Sequence, residues 1–394
     1  MRLGERQAAA SVPKGLRVAG LFAGIGGIEL GLEVAGHRSE LLCEIDPGAQ
    51  AILRAHFPEI PVVGDVKQVM SLPSVDLIAA GFPCQDLSQA GRTKGINGSQ
   101  SSLVGEVFRL LSTGSVKWLL LENVPFMLQL ERGSAMEYLT SSLMDMGYTW
   151  AYRIVNSMSF GLPQRRRRVV LLASKDEDPR PVLFNEDAGP PKPRPHDGRP
   201  CGFYWTEGLR GLGWAVDSVP TIKGGSTIGI PSPPAIWMAH KDGEIVTPDI
   251  RDAERLQGFD ADWTLPALES GKRRKGTRWK YVGNAVNVGL SKWIGERLAS
   301  HGSFNDGTES TPLPPGSSWP TAAWGHGGHV FKADLSEWPV RRRFRPLSTF
   351  LKHEPAPLSL RAATGFLSRA RKAKLRFVDG FLEAVEAHCN RLAS

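Results

Sequence analysis

The sequence predicts an α/β enzyme with a mostly parallel, doubly wound sheet, a small irregular and β-rich second domain, and a helical C-terminal extension. Three observations carry this. Short β-branched and apolar runs recur through the first half, as at Leu16–Phe22, Leu41–Asp46 and Val75–Ala80, with helical spacing between them. Strands buried on both faces look like this, and their alternation with helices marks a parallel sheet. After Lys175 the composition shifts to a stretch rich in Gly, Pro and Trp, and from His301 it shifts again to a Gly/Ser/Pro-rich linker followed by basic helical spacing. At 394 residues, 41% apolar and 22% charged, the chain has room for about two soluble domains.

Residues 1–15 contain Glu5 and lack an apolar signal core, so they read as a flexible N-terminal arm. Residues 16–175 read as a catalytic and cofactor-binding domain. Its first strand runs into Ala23-Gly24-Ile25-Gly26-Gly27 and a helix over Ile28–Ala35, and the second strand ends in Glu44-Ile45-Asp46. A strand, a glycine turn, a helix and an acid about 20 residues on form a nucleotide-binding unit. The third glycine of the dinucleotide fingerprint is missing, which makes a pyrophosphate cofactor the weaker reading; a plain tight turn stays open. Pro61–Val66 is a third strand carrying Asp65. The fourth strand leads to Gly81-Phe82-Pro83-Cys84-Gln85. Ligands bind outside the carboxyl ends of such strands, which puts the Cys84 thiol at the mouth of the sheet; the alternative is a small buried core residue. A polar stretch from about Asp86 to Ser101 has the length of a functional loop such as a lid, or of a disordered one. A fifth strand, Lys117–Leu121, places Glu122 at the same edge as Cys84, unless it serves only as a helix N-terminal carboxylate.

Gln164-Arg165-Arg166-Arg167-Arg168 precedes the apolar run Val169–Ala173. Strand alternation puts Arg166 and Arg168 on one face and Arg165 and Arg167 on the other. Residues 176–245 form the small second domain, which has more acids than bases. Residues 246–299 return to the first domain, with a helix stopped at Gly258, a basic segment over Gly271–Lys280, and a helix opening at Val282–Val286 and running to about Leu298. Residues 300–394 read as a separate appendage with 13 Lys+Arg against 8 Asp+Glu. There, Ala363, Phe366, Ala370, Ala373 and Phe377 form an apolar helix stripe, Arg369, Lys372 and Arg376 a basic one, and Asp379 is a candidate cap for a final helix.

The formal net charge of +8 and pI of about 9.4 favour a polyanionic partner. The four cysteines, Cys43, Cys84, Cys201 and Cys389, are widely spaced, so neither a zinc site nor a disulfide framework is indicated and no metal is expected. No apolar run approaches the ~18 residues of a membrane span, and a cytoplasmic location is expected.

Taken in order, Phe22-Ala23-Gly24-Ile25-Gly26-Gly27, Glu44-Ile45-Asp46, Gly64-Asp65-Val66, Gly81-Phe82-Pro83-Cys84-Gln85, Glu122-Asn123-Val124, Gln164 to Arg168, Arg255-Leu256-Gln257-Gly258-Phe259 and Gly283-Asn284 resemble the DNA (cytosine-5) methyltransferase family. The resemblance covers roughly residues 16–299. It implies a Rossmann-like domain dependent on S-adenosylmethionine, with residues 176–245 as the target recognition domain. It makes Cys84 the nucleophile that adds to carbon 6 of cytosine, so that carbon 5 becomes enamine-like. Glu122 would hold N3 and the exocyclic amine, Arg168 would hold O2, and Arg166 would order the site. Phe22, Gly24, Ile25, Gly26, Gly27, Glu44, Ile45, Asp65, Val66, Pro83 and Asn284 would bind the cofactor. A stacked base cannot reach such a pocket, so the cytosine of double-stranded DNA would flip out.

The sequence departs from the family pattern in three places. Gln100-Ser101-Ser102-Leu103 lacks the mobile-loop arginine, the recognition region is short and not basic, and the residues after His301 have no counterpart in a minimal member. The appendage would then supply DNA contacts or an oligomer interface. A role beside a cognate restriction endonuclease follows by analogy alone. A tRNA cytosine-5 methyltransferase and a catalytically silent DNA-binding regulator stay open as alternatives. The target sequence and the oligomeric state are not legible.

Overall fold

The computed structural model describes residues 15–83, 103–225, 231–240, 243–269, 276–304 and 310–394. Cys84, the lid expected over residues 86–101, residues 1–14 of the arm and residues 271–275 of the basic segment lie outside the described residues.

The first five strands are β1 (Arg17–Leu21), β2 (Arg38–Cys43), β3 (Val62–Val63), β4 (Leu77–Ala80) and β5 (Trp118–Asn123). They pair in parallel in the order 3-2-1-4-5. Next come β6 (Thr149–Asn156), β7 (Gln164–Arg165) and β8 (Arg167–Ser174). β8 inserts between β5 and β6, antiparallel to both. The connection from β6 to β8 is too short for a crossover, so the chain can only return antiparallel.

Alternation along these strands builds two cores. Ala19, Leu21, Ile78, Ala80, Leu119 and Leu121 face one way, onto the helices Leu103–Thr113 and Ser134–Asp145. Val18, Leu77, Ala79, Trp118 and Leu120 face the other, onto the helices Gly27–Val34 and Val288–Ala299. Helices on both faces make the sheet doubly wound, as the sequence predicts. The carboxyl ends of β1, β2, β4 and β5 therefore open on one edge.

The expected helix from Val282 is interrupted. One helix ends at Asn284, and a second starts at Val288 with Asn287 as its cap, its side chain accepting from Leu290 N at 3.1 Å. The break frees the Asn284–Val286 backbone to face the sheet edge.

The small domain is built on β9 (Cys201–Phe203), β10 (Ala215–Val216), β11 (Val219–Pro220), β12 (Ala235–Met238) and β13 (Glu244–Thr247). β11 pairs with β7 and ties the small domain to the arginine segment.

The segment after residue 300 differs from the separate appendage read from the sequence. β14 (Ser310–Pro312), β15 (Ala322–His326) and β16 (His329–Ala333) join the large sheet, with β15 antiparallel to β6, giving ten strands among the described residues. β17 (Ala356–Pro357) then pairs with β13 of the small domain. Between them, Leu347 N donates to Asp217 Oδ1 (2.8 Å), and Asp252 accepts from Lys352 N and His353 N at 3.0 and 2.9 Å. The helices Leu360–Ala370 and Phe381–Ala393 put Ala363, Phe366, Phe381 and Val385 into one core with Phe203 and Trp237. The first of these helices ends at Ala370, so Ala373 and Phe377 lie beyond it. Gly380, with φ +79°, caps the last helix in place of Asp379. The physical reason is burial. An apolar β6 edge and an apolar small-domain sheet each lack a cover within residues 16–299, and the later segment supplies both.

Candidate active site

A cavity of about 760 Å³ opens at the carboxyl edge of the sheet. Of the residues expected at the cofactor, Phe22, Gly24, Ile25, Glu44, Ile45, Asp65, Val66, Pro83 and Asn284 line it. Glu122 and Arg168 line the same cavity. Two groups of motifs far apart in the chain are thus brought to one space.

The glycine turn is shaped by packing. Gly26 has φ +82° and caps the helix Gly27–Val34; a Cβ there would stand 2.5 Å from the Phe57 ring, and one on Gly27 would stand 2.3 Å from Val286 O. Neither residue lines the cavity. They hold Gly24 and Ile25 in place from behind. Glu44 fixes the turn from the other side: Oε2 accepts from Gly24 N at 2.8 Å and Oε1 from Asp46 N at 2.8 Å. Burial raises the Glu44 carboxyl, and these backbone donors oppose that rise. Ile45 lines the cavity with 69% of its surface exposed, an apolar side chain with no cover. Asp65 caps the short turn Val66–Gln68, its Oδ1 accepting from Lys67 N.

The second group sits on β5 and β8. Arg168 Nε lies 2.7 Å from Glu122 Oε1, and both side chains are about 90% buried. Burial is the largest influence on each, raising Glu122 and lowering Arg168, while their mutual attraction opposes both shifts. A guanidinium does not give up its proton in a protein, so the shift that matters chemically is upward, at Glu122. A carboxyl held up in this way takes a proton more readily than a free glutamate, against the pull of Arg168. The other Glu122 oxygen lies near the chain just after β4, 3.7 Å from where a Gly81 Cβ would stand. The same turn is anchored by Asn123, whose Nδ2 donates to Phe82 O at 2.9 Å.

Arg166 does not line the cavity. It lies wholly buried behind it, donating to Ile222 O (3.2 Å), Gly283 O (3.1 Å) and Ala285 O (2.6 Å). One side chain therefore fastens three chain segments, including both neighbours of Asn284. The alternation read from the sequence holds: Arg166 and Arg168 are buried, Arg165 and Arg167 exposed.

Sequence reasoning missed two parts of the wall. Thr221, Ile222, Lys223 and Gly224 reach the cavity from the small domain, and Lys280 and Tyr281 from the returning segment. The Tyr281 hydroxyl donates to Asp46 Oδ1 (2.6 Å), and Lys280 Nζ lies 2.9 Å from Asp46 Oδ2. Burial would raise Asp46, but these donors outweigh it and bring the carboxyl down to about 2. The only signal for this was that Asp46 closes the Glu44-Ile45-Asp46 motif.

Cys43 also lines the cavity. Its thiol donates to Gly64 O at 3.3 Å, and burial pushes it up to about 12, so it is a poor nucleophile. Among the described residues, no cluster of three or more His, Cys, Asp or Glu side chains is placed to hold a metal ion, and no helix is long and apolar enough to cross a membrane.

Residues 16–197 match the family model described as C-5 cytosine-specific DNA methylase. The chain is 50% identical over 386 residues to Type II methyltransferase M2.BsuMI of Bacillus subtilis (strain 168), covering 94% of this chain and 97% of that protein. That coverage leaves far less unmatched than the 95 residues from 300 on, so most of the C-terminal segment has a counterpart there. Type II methyltransferase M.MspI of Moraxella sp is 33% identical, covering 71% of this chain and 69% of that protein. Among solved structures, the S. pombe Dnmt2 methyltransferase matches with a TM-score of 0.51 at 19% identity, over 72% of this chain and 97% of that one, a likeness of fold. With the motifs, the fold and a 50% identical relative along nearly its whole length in agreement, the chain belongs to the C-5 cytosine-specific DNA methylase family and is a DNA (cytosine-5) methyltransferase.

Proposed function

We propose that this cavity binds S-adenosylmethionine and a flipped-out cytosine of duplex DNA side by side, with Cys84 as the covalent nucleophile. The observation that carries the reading is the convergence of Ile45, Asp65 and Gly24 with the Glu122–Arg168 pair in one cavity. The residues fit a nucleoside-bearing cofactor. Ile45 offers an uncovered apolar face for adenine, a Cβ on Gly24 would meet nothing within 4 Å, and Glu44 and Asp65 offer carboxylates to hydroxyl and amine donors. When bound, the cofactor supplies an electrophilic methyl group.

The chain's own residues would prepare the base. Cys84 follows Pro83 directly, and Asn123 holds the backbone of that turn through Phe82 O. The Cys84 thiolate adds to carbon 6, forming the sulfur–carbon bond and pushing electron density to carbon 5. Glu122 supports protonation at N3 as the thiolate adds, and Arg168 holds O2. After carbon 5 is methylated, its proton is lost to a base and the sulfur–carbon bond breaks, releasing the Cys84 thiolate and 5-methylcytosine. Arg166 acts at one remove, by fixing the backbone on either side of Asn284.

The relatives are named Type II methyltransferases, which supports a role as the modification partner of a restriction endonuclease. The test uses purified protein, tritiated S-adenosylmethionine and mixed-sequence duplex DNA, with bisulfite readout and a Cys84→Ser control. Transfer to cytosine that vanishes in the control is expected, and the readout gives the target site. Transfer that survives Cys84→Ser would refute the covalent mechanism. Transfer to tRNA with none to DNA would change the substrate.

A further inference from the structure

One hairpin of the small domain lies between the active-site cavity and the end of a C-terminal helix. In it Tyr204 N donates to Leu212 O, and Gly208 N to Gly211 O at 2.9 Å, leaving Leu209 and Arg210 exposed at the tip. On the cavity side, Glu207 Oε1 lies 2.7 Å from Nζ of Lys223, which lines the cavity. On the other side, Arg369 in the last turn of the helix Leu360–Ala370 is spent on the hairpin backbone. Its Nε donates to Glu207 O (3.0 Å) and its Nη2 to Trp205 O (2.7 Å). A Cβ on Gly208 would stand 3.7 Å from Ala370 N. The hairpin tip and the segment that follows the helix, Arg371 to Arg376, are therefore neighbours.

The charges there are not balanced. Arg371 lies 2.7 Å from Glu386, an exposed pair. Among the described residues, Lys372, Lys374, Arg376 and Arg210 have no carboxylate within ion-pair distance, and all four are exposed. Glu207, the acid nearest the tip, is held by Lys223. Four uncompensated cations beside one another repel in the free protein, and a polyanion relieves that repulsion. Leu209, 51% exposed, adds an apolar contact at the same tip.

We propose that Arg210, Lys372, Lys374 and Arg376 form a clamp on the phosphate backbone of the target duplex, beside the cavity that takes the cytosine. The C-terminal segment is then part of the DNA-binding surface as well as its support. This rests on the reading of the cavity as the cytosine site. It also narrows the DNA contact expected of the appendage: Arg369 is a buttress for the hairpin, and the segment beyond it makes the contact.

The experiment measures binding of the full-length protein to a fluorescent duplex by anisotropy, from about 0.05 to 0.3 M salt, separately from methyl transfer. Each phosphate contact adds ~0.9 to the slope of log K against log salt. Replacing all four residues by Gln is expected to flatten the slope by about 3.6 and to weaken binding at least tenfold near 0.1 M salt. Cofactor affinity and kcat at saturating DNA should stay unchanged. The control replaces Arg38, Lys117 and Lys175, which lie at the opposite edge of the sheet, by Gln and should leave the slope as it was. A slope that stays within half a unit in the fourfold variant, or that falls equally in the control, overturns the clamp. Single Lys372→Gln and Lys374→Gln variants, each expected to lower the slope by about one, decide the question in its place should the fourfold variant lose cofactor binding. A wild type that binds duplex but methylates no cytosine would sink the functional reading, with the slopes still readable on their own.

Discussion

Glu29 is the sharpest test of the packing behind the cofactor turn. It lies in the first turn of the helix Gly27–Val34, 1% exposed, and neither carboxylate oxygen has a hydrogen-bond partner among the described residues. It is pressed against β1, so that a Cβ on Gly20 would stand 2.2 Å from Oε1. Burial pushes its pKa up to about 8. The native state therefore binds this proton more tightly than the unfolded chain, whose glutamates titrate near 4.5. The sign follows: its contribution to stability is fully present below about pH 4.5 and is lost as pH rises toward 8. pH 7.5 lies about three units above the unfolded value and just below the native one, so ~4 kcal/mol of that contribution is gone there at 1.36 kcal/mol per unit. Glu29→Gln removes the titration and leaves an unpaired buried amide that costs ~1–3 kcal/mol. The variant should be less stable than the wild type at pH 5 and more stable by about 1–3 kcal/mol at pH 7.5. Urea unfolding at half-unit pH steps reads this directly. Two stability curves that run parallel from pH 5 to 8 would refute the buried, protonated Glu29.

The cavity gives three further expectations. Ile45→Ser should weaken S-adenosylmethionine binding about tenfold by calorimetry, since covering an isoleucine on a ligand is worth roughly 1.5–3 kcal/mol, with kcat little changed at saturation. Asn123→Ala frees the Phe82 carbonyl and loosens the turn before Cys84; kcat should fall at least tenfold while cofactor affinity holds, and an unchanged kcat would deny Asn123 that positioning role. Arg166→Met leaves three buried carbonyls without a donor, at about 1–3 kcal/mol each. It should lower the melting temperature and raise KM for both cofactor and DNA, whereas a selective loss of kcat would mean that Arg166 touches the base.

Much of the fold could be read from the sequence because the first half is locally consistent. Each apolar run, such as Val75–Ala80, reads as a strand buried on both faces, and each is followed by its turn chemistry. The cavity residues were legible for the same reason: Glu44, Asp65, Pro83 and Glu122 all stand at strand ends. What could not be read depends on long-range contact. β6 carries Arg153, which looks like a surface charge in sequence but is buried against Leu183 O, Glu186 O, Ser336 O and Asp187. Nothing local to Gly26 and Gly27 tells that Phe57 and Val286 pack against them. Thr221 to Gly224 have no motif of their own and gain meaning only from β11 pairing with β7. The C-terminal strands are short and polar, and nothing local tells which sheet they join.

That last feature bears on the order in which the molecule becomes whole. β6 waits some 170 residues along the chain for β15, and β13 waits over 100 for β17. Contacts so distant in sequence form late, because the loop between them must close before any pairing rewards it. During synthesis the large sheet would stand with one bare edge, and the small domain with half its core missing, until the final helices emerge. One returning segment of chain then completes both, adding strands to the large sheet and core to the small domain, so neither is finished before the other.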